Sequence, residues 1–285
     1  MNSVSEVEPF SFSDKTELLS IEFEIIPVEK GRVNYFTGHL IRGAFLSMLA
    51  EIDESLVNRL HNGAGMRPYS VAPIRFPYRG DQRSKLWELK PGRKRYFRLS
   101  SLSPEVNTSL LKAVMKSSGR TIQIGASQCA VNSVRFKTAS YTDLVKGVEP
   151  VRSHDFHFLS PTFFQIRSET FPMLFPIPTY VFGSLGSIWN RFAPSEVRID
   201  MSSFMEELKS GICVTKHYLR TVQVRIKGRI PISGFLGKAR FKLAREASDI
   251  LRAQVGLLAS FGPYSGMGAK RSFGFGAIDT ISIED

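Results

Sequence analysis

"REASDILRAQVGLLASFGPYSGMGAKRSFGFGAIDTISI", Arg245–Ile283, is the stretch whose reading decides the fold. Its first part sets Ile250, Leu251, Val255 and Leu258 on one face of a helix, and "FGFGAIDTISI" reads as a closing strand. Between them Gly262, Gly266, Gly268, Gly274 and Gly276 fall within fifteen residues, with Lys270 and Arg271 flanked by two Gly-x-Gly pairs. Glycine permits positive φ and close approach to the main chain. Consecutive amides held that way form a concavity for anions. A P-loop needs G-x-x-x-x-G-K-[ST], which no register here supplies. A dinucleotide loop needs a third glycine where Arg271 stands, and it precedes a helix rather than following one. What remains is a phosphate-holding loop between last helix and last strand, or a glycine-laden hairpin at a sheet edge.

Working outward, the same order of elements occurs twice. "LLSIEFEIIPV" alternates as a strand, and "FTGHLIRGAFLSMLAEI" follows at helical spacing from Thr37 and Gly38. A short helix over "DESLVNRLH" takes Asp53 as N-cap and stops in "HNGAGMRP". "YSVAPIRFPY" and "KRYFRLSSL" read as strands, "SPEVNTSLLKAVMKS" as a helix, and "TIQIGASQCAVNSVRFKTAS" as extended chain. After a turn at Lys146–Pro150 come the strand "VRSHDFHFLSPTFFQI", the helix "IPTYVFGSLGSIWNRFAP", a hairpin from "GICVTKHYLRTVQVRIKGRI" to "ISGFLGKARFKLA", and the closing segment. Two β-α-β-β-α-β orders predict an α+β chain of tandem ferredoxin-like domains, 1–148 and 149–285.

The chain has 285 residues and 42% hydrophobic content, enough for two packed cores. No run approaches the roughly 18 apolar residues that span a bilayer, so no membrane partner is expected. The start, "MNSVSEVEPFSFSDK", lacks the pattern of a secretory or transit segment, and the two cysteines, Cys129 and Cys213, lie outside any CxxC spacing. Both observations favour the cytoplasm. Lys and Arg number 38 against 26 Asp and Glu, a net charge of +12 that favours a polyanionic partner. Without a basic amphipathic helix, nucleic acid ranks above membrane.

These segments together resemble the RAMP superfamily of CRISPR-associated proteins, and more narrowly its endoribonucleases that cut CRISPR repeat RNA. The G-x-G-x5-G-x-G loop ends a basic chain with two ferredoxin-like halves. "FTGHLIRGAF" is similar to the family's first-helix segment, "LHNGAGMRPYSVAPI" to its Leu-His segment, and "FLSPTFF" and "GFLGKARF" to segments of the second half. The loop alone is shared with non-catalytic RAMP subunits that bind guide RNA in an effector complex, which is the alternative reading.

RNA is cut without metal when its 2′-OH attacks the adjacent phosphate, leaving a 2′,3′-cyclic phosphate and a 5′-OH. Protein groups assist by moving protons and countering charge, and histidine suits the proton transfers. Of five histidines, residue context leaves His61 open between a solvent-facing helix end and a catalytic role. The resemblance places the catalytic histidine at His61 and a supporting cation at Arg67, while the tyrosine some members use falls near Leu46. His39, at the start of the first helix, is the runner-up. Arg42 faces phosphate or is an ordinary helix charge. Arg225, Lys227 and Arg229 alternate along a strand and join Gly266, Gly268, Lys270, Arg271, Gly274 and Gly276 as candidate RNA contacts, although such runs are usually solvated. His154, Asp155 and His157 do not converge on one strand face, so neither metal nor cofactor is expected. The expected partner is CRISPR repeat RNA or its processed product, with an effector complex or a homodimer as further possibilities.

Overall fold

The computed structural model describes residues 17–76, 86–117, 121–166, 169–226 and 231–283. The first half runs β1 (Leu18–Pro27), β2 (Gly31–Asn34), α1 (Gly38–Ala50), α2 (Glu54–Asn62), β3 (Tyr69–Ala72), β4 (Leu86–Leu89), β5 (Arg95–Ser101), α3 (Pro104–Ser117), β6 (Thr121–Ile124), β7 (Ser127–Ala139) and α4 (Tyr141–Lys146). The second runs β8 (Ser153–Thr162), α5 (Pro178–Phe192), α6 (Met201–Gly211), β9 (Ile212–Val224), β10 (Ile232–Leu243), α7 (Asp249–Ser265) and β11 (Ile278–Ile283).

The fold is a tandem of ferredoxin-like domains. The first sheet has the order β3-β5-β1-β7-β6 and the second β11-β8-β10-β9, with every pairing antiparallel. Counting from each domain's first core strand, both follow the order 4-1-3-2, and β6 adds an edge strand beside β7. Sequence periodicity missed the small β2–β4 sheet and the helices α4 and α6. Helix α6 has local signals nonetheless, an Asp200 side chain that caps Ser202 N and buried Phe204 and Leu208 one turn apart.

Strand alternation sorts each sheet into a covered and an open face. In β1, Ile21, Phe23 and Ile25 are buried, and Phe23 stacks on Phe97 of β5 with centroids 4.7 Å apart. The other face of β1 carries Glu22 and Glu24, opposite Arg98 and Tyr96 on β5 and near Arg135 on β7. In the second sheet Phe156, Phe158 and Phe241 pack into the core with Phe182 of α5 and Leu258 of α7. His157 lies on the open face, paired with Lys238 and Asp279. Ile250 leaves the apolar stripe expected of it and is 66% exposed at the start of α7. Tyr141 of α4, with Leu18 and Leu102, packs into the second domain's core.

Between the domains lies a small third cluster of Phe36, Phe163, Val224 and Phe275. Phe275 meets Phe36 at 4.6 Å and Phe163 at 5.5 Å. Burying a phenylalanine contributes about 2 kcal/mol, so this cluster holds the two sheets in a set relation. Arg98 of β5 adds a polar clamp, donating to Asp279 at 2.5 Å and to the Ile278 carbonyl at 2.7 Å. Among the described residues no helix is long and apolar enough to cross a membrane.

Candidate active site

The site forms where the loop after α2 meets the loop after α7. Helix α2 is started by the Asp53 carboxylate, which accepts from Leu56 N at 2.9 Å, and is anchored by buried Leu56 and Leu60. Those anchors turn His61, in the last turn, out to solvent. Its Nδ1 lies 3.0 Å from the Asn62 side-chain oxygen. Gly63 ends the helix, its N–H donating to the Arg59 carbonyl at 2.9 Å. A Cβ at Gly63 would stand 2.6 Å from that carbonyl and 3.2 Å from Arg67 Nη1. The missing side chain lets Arg67 fold back, and its Nη2 donates to the His61 carbonyl at 3.0 Å. His61 and Arg67 are thus joined through main chain.

The glycine loop has the backbone expected of it, with positive φ at Gly266, Gly268, Gly274 and Gly276. The space beside those glycines is filled by protein. A Cβ would meet the Gly276 carbonyl at Gly266 (2.9 Å), the Phe163 carbonyl at Gly268 (2.4 Å), the Cα of Gly38 at Gly274 (2.5 Å) and the Met267 carbonyl at Gly276 (1.8 Å). Most of the loop's amides are likewise engaged. Met267 donates to Gly276 O, Gly268 to Ser184 Oγ, Ala269 to Phe163 O and Gly276 to Pro161 O. Among the described residues, only Lys270, Arg271 and Ser272 keep amides outside this network. The glycines therefore let the chain pack on itself and on the first domain, and the short crest at 270–272 meets solvent chiefly through Lys270.

Lys270 and Arg271 face opposite ways. Lys270 is exposed, in the left-handed region at φ 57°, with its ammonium 6.0 Å from the Phe273 ring centre. Arg271 corrects the expectation that both present charge to a ligand. It is 6% exposed, and its guanidinium donates to the Ser265 carbonyl at 2.6 Å and to the Arg67 carbonyl at 3.1 Å. Burial pulls its pKa down to about 10.

Arg42 of α1 is held between a 3.1 Å bond from its Nε to the Tyr69 hydroxyl and the Phe273 ring, 4.5 Å away. His39 sits half-buried in the first turn of α1. Arg225 is exposed just past the end of β9, and Lys227 and Arg229 lie outside the described residues. The metal candidates diverge. His154 is fully buried, with Nδ1 3.2 Å from Ser282 Oγ and a pKa pulled down to about 4 by burial. Asp155 makes a bidentate pair with Arg240, which holds its carboxyl below the usual range, and His157 stands on the open sheet face.

Two concavities flank the second sheet. One of about 530 Å³ lies on the helix side, lined by Arg67, Ser184, Ser187, Lys270, Ser272 and Phe273. Ser184 and Ser187 escaped the sequence reading, since nothing in their spacing distinguishes a serine facing the loop from one on a solvated helix face. The other, of about 420 Å³, lies on the open face, lined by His157, Tyr218, Arg220 and Lys238 together with Tyr35 and Arg75 of the first domain.

The family described as CRISPR-associated endoribonuclease Cas6 matches residues 156–278, from within β8 to the start of β11 and including the whole glycine loop. The matched segment is less than half of the chain and lies within the second domain. A CRISPR-associated endoribonuclease Cas6 from Streptococcus thermophilus is 33% identical over 129 residues, 45% of this chain and 50% of that protein. The match thus spans about half the length of this curated relative. The structure of Thermus thermophilus Cas6 (TTHB231) superposes with a TM-score of 0.71 at 21% identity, covering 93% of this chain and 99% of that one. The same protein's product complex gives 0.76 at 20%, covering 93% and 100%. A structure described as a RAMP protein binding different RNA substrates gives 0.56 at 19%, covering 93% and 100%. At these identities the structural likeness establishes the fold, in which the Cas6 and RAMP proteins share the tandem arrangement seen here.

Proposed function

We propose that the protein is a metal-independent endoribonuclease that cuts CRISPR precursor RNA within its repeats to give guide RNAs. The observation that carries this reading is the convergence of the His61–Arg67 loop and the 270–272 crest on one concavity. It brings Arg67 of the first domain and the exposed Lys270 of the second to one edge, with Arg67 bonded to the His61 carbonyl. The 2′-OH attacks the adjacent phosphorus as His61 takes a proton from the nucleophile or gives one to the departing 5′ oxygen. Arg67 counters the charge that builds on the phosphoryl oxygens. The P–O5′ bond breaks as the P–O2′ bond forms, leaving a cyclic phosphate and a 5′-OH with no water consumed. Lys270 and the 270–272 crest hold the flanking backbone. The open-face concavity, with Tyr218, Arg220 and Lys238, offers a path for unpaired nucleotides.

Residues 1–148 and 149–285 act in this proposal as two units, the first supplying the proton-transfer group and the second holding RNA. The working compartment is the cytoplasm, and the processed RNA is the link to an effector complex or to a second copy of the chain. A second reading, an RNA-binding subunit without catalysis, draws on the likeness to the RNA-binding RAMP protein above.

One assay separates them. The purified protein is incubated in EDTA with repeat RNA and with the same RNA carrying a single 2′-deoxy substitution at the cut site. Cleavage of the first alone, ending in a cyclic phosphate, supports the enzyme. Tight binding with both RNAs left intact supports the subunit.

A further inference from the structure

Among the described residues, the hydrogen-bond partners of the buried Arg271 guanidinium include no carboxylate. Placing a charge in such a setting costs several kcal/mol unless its donors are satisfied. Its two acceptors are carbonyls from different domains, Ser265 at the end of α7 and Arg67 beyond α2. From Arg67 a further bond runs back to the His61 carbonyl. Residues 61 to 66 between these points are all exposed, so side-chain packing does little to fix them. We infer that Arg271 is a positioning residue, a latch that holds the His61–Arg67 loop against the glycine loop and does not itself meet RNA. This inference rests on the roles proposed above for His61 and Arg67.

The chemistry of the side chain suits a latch. Arginine's planar fork presents diverging N–H groups that satisfy two separated carbonyls at once. A lysine ammonium is a point charge and reaches one carbonyl or the other. Lys270 next door is exposed, so the two basic residues divide the labour, one meeting solvent and one tying domains.

The test uses the full chain with Arg271→Lys and Arg271→Gln. Hydrogen exchange of the His61–Gly63 amides, at the end of α2 where the latched loop begins, reports the latch directly. The dissociation constant for repeat RNA with a 2′-deoxy cut site reports binding, and the single-turnover rate on cleavable RNA reports chemistry. Both variants are expected to exchange the His61–Gly63 amides, which are hydrogen-bonded at the end of α2, about tenfold faster while the middle of α7 stays protected. Affinity should change by less than about threefold and the rate should fall about 30-fold, as expected of a displaced catalytic group. Should Arg271→Gln fail to fold, Arg271→Lys alone decides. Equal losses in affinity and rate would overturn the inference by making Arg271 an RNA contact, as would unchanged exchange. If the wild-type protein leaves repeat RNA intact, the proposed enzyme fails, and the exchange measurement still decides whether the latch exists.

Discussion

A Cβ placed on Gly274 would stand 2.5 Å from the Cα of Gly38, so the glycine loop of one domain and the first helix of the other meet backbone to backbone. Gly274 also has φ 94°, a conformation that costs an L-residue free energy whatever its neighbours. Gly274→Ala is expected to lower stability by about 2 kcal/mol or more, because the clash is with main chain that cannot rotate away. For a chain of this size that is about 5 °C in Tm. A melting curve matching wild type would show that the interdomain contact relaxes freely.

His61→Ala should remove cleavage while leaving the fold and RNA binding in place, since the side chain is exposed and caps nothing. General acid–base assistance is worth about a hundred- to ten-thousand-fold in rate, and a single-turnover assay should show a loss in that range. Cleavage at the wild-type rate would move the catalytic assignment to His39.

Lys270→Ala tests the exposed half of the basic pair. With one phosphate contact removed, the slope of log affinity against log salt should fall by about 1, with similar weakening for every RNA sequence. An unchanged slope would place the RNA away from the loop crest.

His154 makes stability depend on pH. Burial lowers its folded pKa to about 4 from the ordinary 6.5, so the unfolded chain binds the proton more readily. Stability is therefore intact above pH 6.5 and is lost as pH falls from there toward 4. The loss is of order 3 kcal/mol, at about 1.36 kcal/mol per pKa unit. Denaturant titrations at about pH 7.5, 6 and 5 should show the decline, and His154→Gln should flatten this part of it. Identical slopes in the two proteins would mean that other groups govern the acid limb.

Much of this was legible along the chain. Alternation in Leu18–Ile25 and the 3.6-residue pattern in α1, α5 and α7 are local signals, and they recur in the same order because each domain buries one sheet face under helices. Asp53 announced α2, and with it the exposed end that carries His61. Helix α6 and the β2–β4 pair were missed because they are short, and short amphipathic runs between longer elements carry little periodicity.

The residues alone thus determined the order of the longer elements, the duplicated fold, the basic character and the left-handed backbone of the glycine loop. They left undecided what lies beside those glycines, because positive φ serves a phosphate and a neighbouring carbonyl equally well. Lys270 and Arg271 are adjacent and chemically alike, and no local rule says which turns outward. Only the packing of one domain on the other sends Arg271 inward to Ser265 and Arg67 and leaves Lys270 in solvent.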